Sequence, residues 1–127
     1  MVTIGNHLKM TVTSALKART REFYGGLLGL KPIPSPAENL DLYEFSGGFV
    51  LGLFFSDNRA DLLTEQDYLK ATWLELKVDD LAQWKERLQR FGVIEIEYDD
   101  PSRFVEPYPR FFFQAPGGQV FRLAPLS

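Results

Sequence analysis

Histidine occurs once in this chain, at position 7, and cysteine does not occur at all. The missing cysteine removes disulfides, thiol nucleophiles and thiolate metal sites together. One imidazole remains that could work as acid, base or metal ligand near neutral pH. His7 belongs to a triplet, His7, Lys9 and Thr11, that alternates with Leu8, Met10 and Val12. Glu75 stands in a second triplet, Trp73, Glu75 and Lys77, that alternates with Leu74, Leu76 and Val78. A period of two puts each triplet on one face of a β-strand. His7 with Glu75 would make a metal-free acid–base pair. The plainer reading gives Glu75 an ion pair with Lys9, Lys77 or Arg122, and gives His7 a backbone carbonyl to bond to.

The elements that must position these residues follow from periodicity and turn signals. Strand character over Ile4 to Val12 is followed by Thr13 or Ser14 as a helix cap. Leu16, Thr20, Phe23, Tyr24 and Leu27 then form a helical stripe that Gly29 ends. Pro32, Pro34 and Pro36 make the next stretch too proline-rich for a central strand. Strands over Leu40 to Phe45 and Phe49 to Phe55 flank a Gly47-Gly48 turn. After a polar connection, Thr72 to Val78 is a strand. Asp79 caps a second helix with the stripe Leu81, Trp84, Leu88 and Phe91, closed by Gly92. Strands over Val93 to Tyr98, Arg110 to Gln114 and Gln119 to Leu123 complete the chain, with a loop from Asp100 to Pro109.

The two halves repeat one another. His7-Leu8-Lys9-Met10-Thr11-Val12 and Trp73-Leu74-Glu75-Leu76-Lys77-Val78 lie 66 residues apart, and each leads into a helix closed by glycine. Gly47-Gly48-Phe49-Val50-Leu51-Gly52-Leu53 and Gly117-Gly118-Gln119-Val120-Phe121-Arg122-Leu123 share the glycine pair, a valine and a leucine. Strand–helix–strand–strand–strand thus occurs twice, and self-similarity of this kind outweighs any single motif. The expected division is one domain of two modules, 1–58 and 71–127, joined by 59–70. A ferredoxin-like dimeric α+β barrel is the alternative. Its repeat has fewer strands than the three that follow each helix here.

With 127 residues, 45% of them hydrophobic, the chain can bury a core. A net charge of −3 shows no basic surface for nucleic acid. Met1 to Met10 lacks the pattern of a signal peptide and no apolar run reaches membrane-spanning length, so a soluble, cytoplasmic protein is expected.

Three stretches carry a family resemblance. They are His7 to Val12 followed by Phe23-Tyr24-Gly25-Gly26-Leu27-Leu28-Gly29-Leu30; Trp73 to Leu81 with its Val78-Asp79-Asp80-Leu81 end; and the hairpin Arg110 to Leu123 turning at Ala115-Pro116-Gly117-Gly118. Together they resemble the vicinal-oxygen-chelate (glyoxalase/bleomycin-resistance) superfamily. The resemblance implies an α+β fold in which two βαβββ modules form a cupped, partly closed eight-stranded mixed sheet with helices outside. It also implies a homodimer.

In enzymes of that superfamily the opening and closing strands of each module carry metal ligands. The matching positions here are His7, Gly52, Trp73 and Arg122. Glycine has no side chain, tryptophan offers only a donor N–H, and arginine is a permanent cation standing where the family most often has glutamate. The resemblance therefore implies no metal at this site and no cofactor. The cavity would be lined by His7, Lys9, Thr11, Trp73, Glu75, Lys77 and Arg122. Phe54, Tyr43 and Phe113 would be aromatic walls, and Tyr108 and Arg110 further contacts before the last hairpin. Glu44 and Glu95 are carboxylates within conceivable reach. Arg122 would grip a carboxylate or phosphate, and Trp73 would stack on a flat ring.

The expected function is small-molecule binding, of an anionic or aromatic ligand, as in bleomycin-resistance-type drug-binding proteins. The alternative is a glyoxalase-like lyase or dioxygenase using His7, with Glu75, in a non-standard ligand set. A scaffold without any ligand is the third reading.

Overall fold

The computed structural model describes residues 1–57, 67, 70–98 and 111–126. Two compact units divide the chain, Met1–Asp61 and Leu62–Ser127. Each contains strand, helix and three further strands, so three strands follow each helix and the ferredoxin-like alternative is ruled out.

In the first unit, β1 (His7–Thr13) runs parallel to β4 (Val50–Ser56), and β3 (Leu40–Glu44) and β2 (Lys31–Ile33) complete a mixed sheet in the order β1-β4-β3-β2. Pro32 is tolerated because β2 is an edge strand. Register divides the side chains cleanly. His7 lies across from Val50, Lys9 from Gly52 and Thr11 from Phe54, with Leu40 and Leu42 on the same face. Leu51, Leu53, Val12 and Tyr43 fall on the other, and all four are buried.

That second face is covered by a helical segment of changing pitch. It opens with a 3-10 turn, Ser14–Leu16, continues as α1 (Lys17–Arg21), and widens into a π-turn over Glu22–Leu27. Neither Thr13 nor Ser14 caps it. Thr13 holds the capping position, yet its side chain makes no capping hydrogen bond, because the first turn is 3-10 rather than α. The wider π-turn lets consecutive Phe23 and Tyr24 both face the core. Both are fully buried, with their rings edge-to-face at 4.9 Å, and Tyr24 meets Tyr43 at 5.7 Å. Thr20, also buried, donates its hydroxyl to the Lys17 carbonyl at 2.9 Å.

The second unit repeats the plan. β5 (Trp73–Val78) runs parallel to β8 (Val120–Pro125), with β7 (Phe112–Gln114) and β6 (Ile94–Ile96) beside them in the order β5-β8-β7-β6. The helix α2 (Leu81–Phe91) buries Leu88 completely and ends at Gly92, whose φ of 94° suits glycine. Its cap is Asp80, not Asp79: the Asp80 carboxylate accepts from the Gln83 N–H at 3.0 Å. Asp79 instead accepts from the Trp84 indole N–H at 3.1 Å.

The turns that aligned the two halves have a common cause. Gly47 and Gly48 have φ of 94° and 90°, and Gly117 and Gly118 have 91° and 106°. Two successive positive φ angles favour glycine at both positions of each hairpin turn.

Candidate functional site

In the second unit, Trp73, Glu75 and Lys77 stand along one face of β5, and each has a neighbour on β8: Val120, Arg122 and Ala124. Parallel strands at this register bring Glu75 and Arg122 side by side. The Arg122 guanidinium donates to the Glu75 carboxylate. Its carbon also stands 4.5 Å from the centre of the Trp73 ring. The side chains of Arg122 and Glu75 are 13% and 30% exposed, so the pair is partly desolvated rather than a loose surface contact. Trp73 meets Phe112 edge-to-face at 5.3 Å and leaves 37% of its surface open. Beneath it lies an apolar floor of Phe112, Val120, Ile96 and Tyr98.

Gln114 occupies the same face. It pairs with Val120 across β7 and β8, one step along from Phe112 and Arg122. It is only 3% exposed, and its Nε2 has no hydrogen-bond partner among the described residues. The sequence reading passed over Gln114 as the end of a phenylalanine strand. The available signal was its parity: a polar residue two positions after Phe112 shares that side chain's face.

In the first unit, His7, Lys9 and Thr11 lie on one exposed strand face, as their alternation predicts. Lys9 lays its stem over Gly52. A Cβ at position 52 would stand 3.0 Å from Lys9 Cγ and 3.1 Å from Leu42 Cδ2. The ammonium reaches to 5.6 Å from the centre of the Phe54 ring, which is itself part-exposed. The lysine stem thus takes the space that a side chain at position 52 would need.

Tyr43 and Phe113 do not share these faces. Register puts Tyr43 on the helix side of its sheet, against Tyr24, and Phe113 opposite Phe121 and Glu95 on the helix side of the other. Burial raises the phenol pKa of both Tyr24 and Tyr43. Glu44 pairs with Val50 on the His7 face, whereas Glu95 approaches Gln89 of α2. Tyr108 and Arg110 lie outside the described residues, as does most of the 59–70 connection.

A cleft of about 450 Å³ in the first unit lies beside Tyr43, Pro32, Ile33 and Leu42. On its rim Arg21 makes two hydrogen bonds to Asp41, at 2.8 and 3.0 Å, and these raise the arginine pKa further. A second cleft, of about 260 Å³, lies between α2 and the Phe111–Phe112 end of β7. Neither is lined by His7, Trp73, Glu75 or Arg122.

Of His7, Gly52, Trp73 and Arg122, only His7 has a side chain able to ligate a metal ion. Gly52 supplies no donor atom, Trp73 supplies only N–H, and Arg122 is a cation already bonded to Glu75. Among the described residues no three histidine, aspartate or glutamate side chains converge.

No family model and no curated protein matches the sequence. Solved structures do match. A mutant of the fosfomycin resistance protein FosX from Listeria monocytogenes, complexed with manganese(II) and 1S,2S-dihydroxypropylphosphonic acid, aligns with a TM-score of 0.70 at 14% identity, over 98% of this chain and 90% of that one. A possible glyoxalase from Bacillus cereus aligns at 0.63 and 19% identity, over 96% and 99%. TnmS3, an antibiotic binding protein from Streptomyces sp. CB03234, aligns at 0.60 and 21% identity, over 99% and 98%. The chain has the vicinal-oxygen-chelate fold.

Proposed function

We propose that the chain is a small-molecule-binding protein of this fold in which the metal position has been given over to a fixed guanidinium. The observation that carries the proposal is Arg122, held between Glu75 and Trp73 on β8. A divalent ion would have to displace a guanidinium from its carboxylate, beside an indole that offers no ligand. Organic ligands suit the same groups better. Part-exposed Trp73 offers a flat surface beside Phe112 and Val120, with a few polar groups near it, the composition of a small-molecule site. The antibiotic-binding neighbour supports this reading by showing that the fold serves binding as well as catalysis.

The ligand expected is anionic or aromatic, and the working form expected is a homodimer. β1 and β2 in the first sheet, and β5 and β6 in the second, are edge strands whose outer sides need covering. The alternative, a glyoxalase-like lyase or dioxygenase using His7, draws on the exposed position of that imidazole at the start of β1. Elemental analysis of protein purified without chelator separates the two. Substoichiometric metal, together with binding of aromatic antibiotics seen by calorimetry, is the expected result. Tightly held stoichiometric nickel, zinc, manganese or iron would overturn it.

A further inference from the structure

The Trp73 face of the second unit is rich in donors and poor in acceptors. Among the described residues its one carboxylate, Glu75, accepts from Arg122. Lys77 adds a second cation on the same strand face, exposed and across from Ala124. Gln114 adds a carboxamide whose Nε2 is buried with no hydrogen-bond partner among the described residues. Native proteins seldom leave a buried donor without an acceptor, and an exception calls for an explanation, of which an acceptor supplied by a ligand is one.

Gln114 and Arg122 are diagonal neighbours on adjacent strands, since Gln114 pairs with Val120 and Arg122 with Phe112. Such neighbours stand about 7–8 Å apart at the backbone, a span that two long side chains close around a shared acceptor group. Trp73 flanks Val120 on its other side. A donor pair therefore adjoins an apolar floor and an accessible indole surface. Among the described residues, Arg122 and Lys77 stand on this face against the single carboxylate of Glu75.

We propose that this face recognises a flat aromatic molecule bearing one carboxylate. The ring lies against the accessible part of Trp73, and the carboxylate accepts from Gln114 Nε2 and the Arg122 guanidinium. This rests on the metal-free binding reading and narrows it to a substrate class.

Two measurements on the full-length protein test it, with 2-naphthoate and its uncharged analogue 2-naphthylmethanol as probes in calorimetry. Wild type is expected to bind naphthoate at least tenfold more tightly than the alcohol, and Gln114→Leu to erase that preference. Gln114→Leu is also expected to raise the Tm of the ligand-free protein by about 3 °C, because it removes a buried donor that has no partner there. The proposal fails if wild type shows no preference, if Gln114→Leu keeps it, or if that variant's Tm is unchanged or lower, since the carboxamide is then satisfied without a ligand. Stoichiometric metal found beside a Gln114-dependent preference would instead overturn the metal-free reading and leave this recognition standing.

Discussion

Arg122 and Trp73 are stacked, with the guanidinium carbon 4.5 Å from the indole centre, while the same guanidinium donates to Glu75. The arrangement joins neighbouring parallel strands on one face of the second sheet. Removing Arg122 loses the stack and leaves a part-buried carboxylate uncompensated. Arg122→Ala is expected to cost about 2 kcal/mol, and Arg122→Lys, which keeps charge but not the planar fork, about 1 kcal/mol. Urea unfolding of both variants, closed into a cycle with Glu75→Gln, gives the coupling. Additive effects would show that the pair contributes nothing.

Gly52 and Arg122 hold equivalent places in the repeat, and Lys9 covers Gly52. The Cβ of Gly52→Ala meets Lys9 Cγ at 3.0 Å and Leu42 Cδ2 at 3.1 Å. Both are side-chain atoms able to shift, so the expected cost is about 1 kcal/mol. Lys9→Ala removes the closer contact and should recover part of that loss in the double variant. A Gly52→Ala protein as stable as wild type would show that the lysine stem does not pack there.

The start of α2 offers a sharper discrimination. Asp80→Ala removes the side chain that accepts from the Gln83 N–H and is expected to cost about 1 kcal/mol. Asp79→Ala loses an exposed bond to the Trp84 indole and should cost less. Thermal unfolding of the two variants gives the order; the reverse order would return the cap to Asp79.

Burial of the phenol raises the pKa of Tyr24 above its ordinary value, and the same cause acts on Tyr43. A group whose folded pKa is raised holds its proton longer in the folded state than in the unfolded. Its contribution is fully present below the unfolded value and is lost as pH rises toward the folded one. Stability is therefore expected to fall above a pH of about 10, and less steeply in Tyr24→Phe. Equal alkaline slopes for wild type and variant would contradict this.

Much of this fold was legible because its signals are local. Glycine pairs at 47–48 and 117–118 mark hairpins that require positive φ, and the alternation through His7–Val12 and Trp73–Val78 fixes which side chains share a face. Other features depended on contacts that sequence spacing does not carry. Leu42 and Tyr43 are both apolar, so alternation could not say which faces the helix, and the tyrosine took that side. The π-turn of Glu22–Leu27 leaves a stripe close to that of an ordinary helix, so the change of pitch went unseen. The sequence pointed to Asp79 as the cap, whereas α2 begins at Leu81 and its neighbour Asp80 holds the capping position. Within the candidate site, an ion pair for Glu75 was readable, but not that Arg122 rather than Lys9 or Lys77 would make it. The stacking of Arg122 on Trp73 and the burial of Gln114 were not, since both depend on rotamers and on what lies above the strand.

The central claim is that Arg122 occupies the place of a metal. Calorimetric titration of the purified, chelator-treated protein with zinc and manganese(II), repeated on His7→Ala, tests it most directly. No stoichiometric binding and the same Tm before and after chelation are expected. Saturable one-to-one binding that disappears in His7→Ala would contradict it.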